Sequence, residues 1–114
     1  MNNHNFITMD LSQHGSSLGP RDLGAEIREN ILSLLKNKDA KILISFKGVH
    51  IISSAFADEV FGKLFVELGE EKFKSTIKIN GFDTEEERVI TLSIINKGIA
   101  FRRTIKEDSR NNST

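Results

Sequence analysis

The apolar positions along this chain switch between strand-like and helical spacing, and each switch marks an element boundary. Residues Asn5 to Leu11 (NFITMDL) alternate imperfectly and predict a first strand, followed by the turn-rich SQHGSSLGP. The only proline, Pro20, stands before RDLGAEIRENILSLLKNK, and proline suits the first helical position because that amide has no intrahelical partner. Leu23, Ile27, Ile31, Leu34 and Leu35 then recur at helical spacing. Glu26, Arg28, Glu29, Lys36 and Lys38 fall mostly off that stripe, with the lysines near the end that the helix dipole makes negative.

Lys41 to Phe46 (KILISF) is a short apolar run, the pattern of a central strand covered on at least one face. A second helix is expected from about Ser54 to Leu68, with Phe56, Val60, Phe61, Leu64, Phe65 and Leu68 on one broad face and a Glu59–Lys63 pair on the other. Thr76 to Asn80 (TIKIN) reads as a strand ending at Gly81. Thr84 and Glu87 have the spacing of a capping box for a last helix that would carry Val89, Leu92, Ile95 and Ile99 inward. The order strand, helix, strand, helix, strand, helix predicts an α/β fold with right-handed crossovers between largely parallel strands.

A chain of 114 residues supports one core, placed here in residues 1–105, and the tail KEDSRNNST (106–114) is too polar to join it and is expected to be disordered. Sixteen basic residues balance sixteen acidic ones, so no net field draws the chain to nucleic acid or to an anionic membrane. Cysteine is absent, which removes disulfides and thiolate chemistry and fits a reducing compartment. No apolar run approaches a membrane span, and the start MNNHNF lacks the pattern of a secretory signal, so a cytoplasmic protein is expected.

Candidate chemistry concentrates in VHIISSAFADEVFGKL, Val49 to Leu64, where a strand exit delivers two serines, a small residue and then two acids at a helix start. The first amides of a helix lack partners and the local field is positive, so Ser53 or Ser54 can cap while Asp58 and Glu59 sit favourably in the opening turns. The same geometry presents a hydroxyl where a phosphate would be stabilised. Elsewhere the signals are weaker. His4, His14 and His50 have no carboxylate or second histidine at ligand spacing, so no metal site is expected. Gly15, Gly19 and Arg21 in HGSSLGPR could cradle an anion, without the lysine and spacing of a P-loop. Asp83, Glu85, Glu86 and Glu87 answer a helix dipole, and Arg102 and Arg103 end the last helix. No spacing is diagnostic of catalysis, so neither an enzyme nor a cofactor is expected.

The stretch FKGVHIISSAFADEVFG resembles a STAS-like family of unknown function in bacteria, related in fold to the anti-sigma factor antagonists, and LGPRDLGAEI resembles the same family's entry to the first helix. The likeness in arrangement covers about Phe6 to Ile99. It implies one small domain with a mixed or mainly parallel sheet and helices packed mainly on one face. It also implies a signalling role. In the antagonists the corresponding turn reads Asp, Ser, Ser, Gly, and the second serine is phosphorylated by a histidine-kinase-like ATPase. On this chain Ser53 falls at the Asp, Ser54 at the first Ser and Ala55 at the acceptor, so the acceptor is missing and Ser54 is the remaining candidate.

Two functions therefore stay open from the sequence. The first is a protein–protein interaction module whose partner, a histidine-kinase-like ATPase or other signalling protein, docks on Ser53, Ser54, Asp58, Glu59 and Gly62. In that reading Asp58 and Gly62 share an exposed face, and Asp58→Lys abolishes the complex while leaving thermal stability nearly unchanged. In the alternative, Gly62 serves close packing within the domain. The second function is nucleotide or anion binding by the Gly15 to Arg21 loop, with Gly19 and Arg21 as contacts, together with the helix start at Ser54.

Overall fold

The computed structural model describes residues 6–97. His4, Ile99, Arg102, Arg103 and the 106–114 tail lie outside these residues. Within them the chain is α/β, with five strands, all paired in parallel, and four helices. Strand β1 (Phe6–Asp10) leads through a 3-10 turn (Leu11–His14) to the two-residue β2 (Ser17–Leu18) and helix α1 (Arg21–Leu34). Strand β3 (Lys41–Ser45) and the short β4 (Ile51–Ile52) follow. Helix α2 runs continuously through Ser54–Ala57, a π-turn at Asp58–Gly62, and Lys63–Leu68. Gly69 then reverses the chain into α3 (Glu70–Thr76), which feeds β5 (Ile77–Asn80), and residues 84–97 form α4.

The larger sheet has the order β1-β3-β5, with Ile7 beside Ile42, and Ile42 and Ile44 beside Ile77 and Ile79. Because side chains alternate along a strand, these isoleucines share the face that the helices cover. Ile42 and Ile44 are fully buried there. The opposite face carries Lys41, Ser45, Lys78 and Asn80, so the helices pack mainly on one side as expected. Beyond the C-terminal ends of these strands, β2 and β4 form a second parallel pair that brings the Gly19 turn beside the start of α2. Phe46, Phe56, Phe61 and Leu64 fill the space between sheet and α2, with the Phe46 and Phe61 rings 5.9 Å apart.

Four local expectations need correction. Pro20 is the extended residue before α1 rather than its first turn, and its carbonyl accepts from the Gly24 N–H. Helix α1 ends earlier than the lysines, because the Lys36 and Asn37 amides turn back only three residues, to Ser33 and Leu34, and the winding tightens out of the helix. Residues 70–75, to which no element was assigned, and Thr76, expected to open the strand, form α3, held by Phe73 packing edge-on against Phe65 at 5.6 Å. The cap of α4 is Asp83, whose carboxylate accepts from the Glu86 N–H at 3.0 Å, so the capping pair is Asp83 and Glu86 rather than Thr84 and Glu87.

The buried face of the helix also differs from the one expected, because it is set by the packing of α4 against its neighbours. Glu86, Ile90 and Ser93 face inward, while Leu92 and Ile95, expected in the core, are 50% and 48% exposed. Among the described residues, no helix is long and apolar enough to cross a membrane, and no group of three or more His, Cys, Asp or Glu stands ready for a metal ion.

Candidate functional site

The strand-to-helix junction is built by Ser53. Its backbone is extended, its Oγ accepts from the Phe56 N–H at 2.9 Å, and its hydroxyl donates to the Gly19 carbonyl at 2.7 Å. The first contact caps α2, and the second ties that cap to the loop before α1. Ser53 is thus committed at both lone pair and proton. Ser54, the next residue, is exposed in the first turn and its hydroxyl takes part in no hydrogen bond recorded among the described residues. Between the two serines the structure assigns capping to Ser53 and leaves Ser54 at the surface.

One turn later the helix widens. The Lys63 N–H, which an α-helix would give to the Glu59 carbonyl, goes to the carbonyls of Asp58 and Val60 instead. The Glu59 carbonyl is taken by the Arg28 guanidinium from α1, and the same guanidinium holds the Glu59 carboxylate at 2.8 Å. Lys63 Nζ reaches that carboxylate at 3.0 Å and Arg21 at 3.3 Å, so one nearly buried acid is served by three cations. The Arg28 hydrogen bond, opposed by burial and aided by Lys63 and Arg21, holds the Glu59 carboxyl down at about 2, well below its usual 4.5.

Asp58 lies beside this cluster, between Arg21 at 3.3 Å and Lys97 of α4 at 3.5 Å. Charge reversal there would set three cations against one another. Asp58→Lys is therefore destabilising, and cannot serve as the silent probe that the sequence proposed.

Gly62 is buried, and a methyl group on it would lie 3.2 Å from the Ser93 carbonyl and 2.7 Å from Lys97 Cγ. The alternative of close packing within the domain is the arrangement observed, and Gly62 shares no open face with Asp58. Gly24 plays the same part toward α1, where a Cβ would meet Glu59 Cβ at 2.9 Å. Of the five predicted contact residues, Ser54 is exposed, Ser53 and Asp58 are half-buried, and Glu59 and Gly62 are inside. The candidate anion loop is similarly engaged: the Gly19 carbonyl is occupied by Ser53, and Arg21, though 59% exposed, is paired with Asp58 and Glu59.

Sequence reasoning missed Arg28, Gly24 and Lys97. Arg21, Gly24 and Arg28 lie three and four apart, one stripe along α1, and that spacing was legible. The approach of Lys97 was not, because it depends on how α4 crosses α2.

These features define a small α/β domain of parallel strands, with a capped helix and a charge cluster at the end of the sheet where the second strand pair sits. The chain belongs to the family described as the STAS-like domain of unknown function (DUF4325), whose model matches residues 24–87. That span runs from Gly24 to Glu87 and takes in Arg28, both serines and the Asp58–Gly62 turn. Neither a curated protein nor a solved structure matches the chain.

Proposed function

We propose that the protein is a regulatory interaction module of the bacterial cytoplasm that acts by docking rather than by catalysis, with its contact surface at the start of α2. The observation that carries this reading is the division of labour between the serines: Ser53 is consumed in building the junction, which leaves the Ser54 hydroxyl presented on a rigid helix start. The surrounding charges give the partner a chemistry. Arg21, Arg28, Lys63 and Lys97 are set against Asp58 and Glu59, so the surface carries an excess of positive charge and favours a partner that presents carboxylates. A histidine-kinase-like ATPase is the partner class that the family resemblance implies, with Ser54 as the residue it would modify.

The test is a pull-down from native cells with wild-type bait and with Ser54→Tyr, reading the intact mass of the recovered bait. A stoichiometric ATPase held by the wild type, lost by the variant at unchanged melting temperature, supports the reading. A mass gain of one phosphate mapped to Ser54 identifies the switch. An unmodified wild-type bait that retains the same proteins as Ser54→Tyr rules the surface out. The same excess of positive charge favours the alternative, an anion or nucleotide at Arg21. A saturable rise in melting temperature with nucleoside triphosphate, lost in Arg21→Gln, would favour it over docking.

A further inference from the structure

Away from that junction, β4 and the first turns of α4 enclose a cleft of about 200 Å³ lined by His50, Ile51, Ile52, Glu85, Glu86 and Val89. Glu86 is only 3% exposed, yet its Oε1 is buried without any hydrogen-bond partner. Natural interiors rarely leave such an atom alone, because an unsatisfied buried acceptor costs about 1–3 kcal/mol and more when charged. Among the described residues the basic group that faces it is His50 of the same cleft, which acts on the carboxyl through space and makes no hydrogen bond to Oε1. Arg88 is spent on Glu85 at 3.6 Å, and the nearest acid, Asp83, adds further negative charge. Beside His50 and Glu85 the rest of the lining is aliphatic, with Ile52 buried, Val89 half-buried and Ile51 63% exposed. Continuing from Val89 at helical spacing come Leu92 and Ile95, the two exposed apolar residues of α4.

A buried acceptor at the bottom, aliphatic walls and an apolar stripe leading away match an alkyl chain that ends in a cation. The volume suits one long side chain and falls below the roughly 300 Å³ at which drug-sized ligands begin. We infer that the cleft between β4 and α4 receives a lysine or arginine side chain of a partner protein, with the cation on Glu86 Oε1, the alkyl stem against Ile51 and Val89, and apolar neighbours of that residue on Leu92 and Ile95. A protein rather than a free amine is assigned because a free amine would leave the Leu92 and Ile95 stripe uncovered. This site is separate from the Ser54 surface and does not depend on it.

The experiment is an amide-resolved NMR titration of the full chain with n-butylammonium, with n-butanol, and with the capped peptide acetyl-Leu-Leu-Lys-amide. The expected result is saturable shifts at residues 50–52 and 85–89 with the ammonium and the peptide but not with butanol, the peptide binding more tightly. Glu86→Gln, which keeps the shape and removes the charge, should weaken both by about tenfold or more, the loss of one charge-assisted hydrogen bond. Leu92→Ser should weaken the peptide alone. No saturable shift with either cation, or equal binding by Glu86→Gln, overturns the site. Equal affinity for butylammonium and the peptide overturns the protein partner in favour of a small amine. Ser54→Tyr leaves every one of these affinities unchanged, which separates this inference from the docking surface at α2.

Discussion

Ser53 and Ser54 are adjacent and chemically identical, yet the fold gives them opposite duties. Removing the Ser53 hydroxyl takes away the Phe56 cap and leaves the Gly19 carbonyl without its donor, so Ser53→Ala should cost about 1–2 kcal/mol in urea unfolding. Ser54→Ala, at an exposed position, should stay within about 0.5 kcal/mol of wild type. The two buried acids also diverge. Glu59 has a folded-state pKa of about 2 against 4.5 when unpaired, so it contributes stability above 4.5 that is lost as pH falls toward 2. By the size of that shift the contribution is on the order of 3 kcal/mol. Glu86 is shifted the other way, by burial and then by Asp83, so its contribution is present below 4.5 and is lost as pH rises through its folded value. Urea unfolding across pH should show Glu59→Gln flattening the acid limb, and Glu86→Gln removing the loss on the other side.

At the scale of elements, α2 is fixed from two directions by glycines on different helices. Gly24 of α1 admits Glu59, and Gly62 of α2 admits Ser93 of α4. Either alanine substitution overpacks a helix crossing and should destabilise by about 1–3 kcal/mol, with the urea midpoint falling and its slope unchanged. Gly24→Ala should also loosen the Arg28–Glu59 contact and so weaken the acid-limb dependence, which Gly62→Ala should spare. The same crossing explains why Ser93 is buried while Leu92 is exposed. A small polar residue fits where two helices nearly touch, and a leucine does not.

For the molecule as a whole, the apolar pattern was sufficient for the class of fold. KILIS became the central strand, SAFADEVFGKLFVEL became one helix, and IKIN became a strand, because strand and helix periods leave their mark on neighbouring residues. The family match over residues 24–87 agrees with that reading. The Glu59–Lys63 pair was legible too, by its spacing of four. What the pattern missed shares one cause. Burial of Glu59, the covering of Gly62 and the face that α4 turns inward all depend on which helix lies beside which. Periodicity reports one apolar face per helix, whereas α2 has neighbours on more than one side.

The sequence by itself determined the order of elements, the parallel α/β class and a helix opened by serines, since each follows from local spacing and capping chemistry. Only the tertiary structure decided which serine caps and which is presented, that Glu59 is an interior acid ringed by cations, and that Glu86 Oε1 sits buried without a hydrogen bond beside an exposed apolar stripe. Those outcomes rest on contacts between residues more than thirty positions apart in the chain, such as Arg28 with Glu59 and Gly62 with Ser93, and no local pattern encodes them.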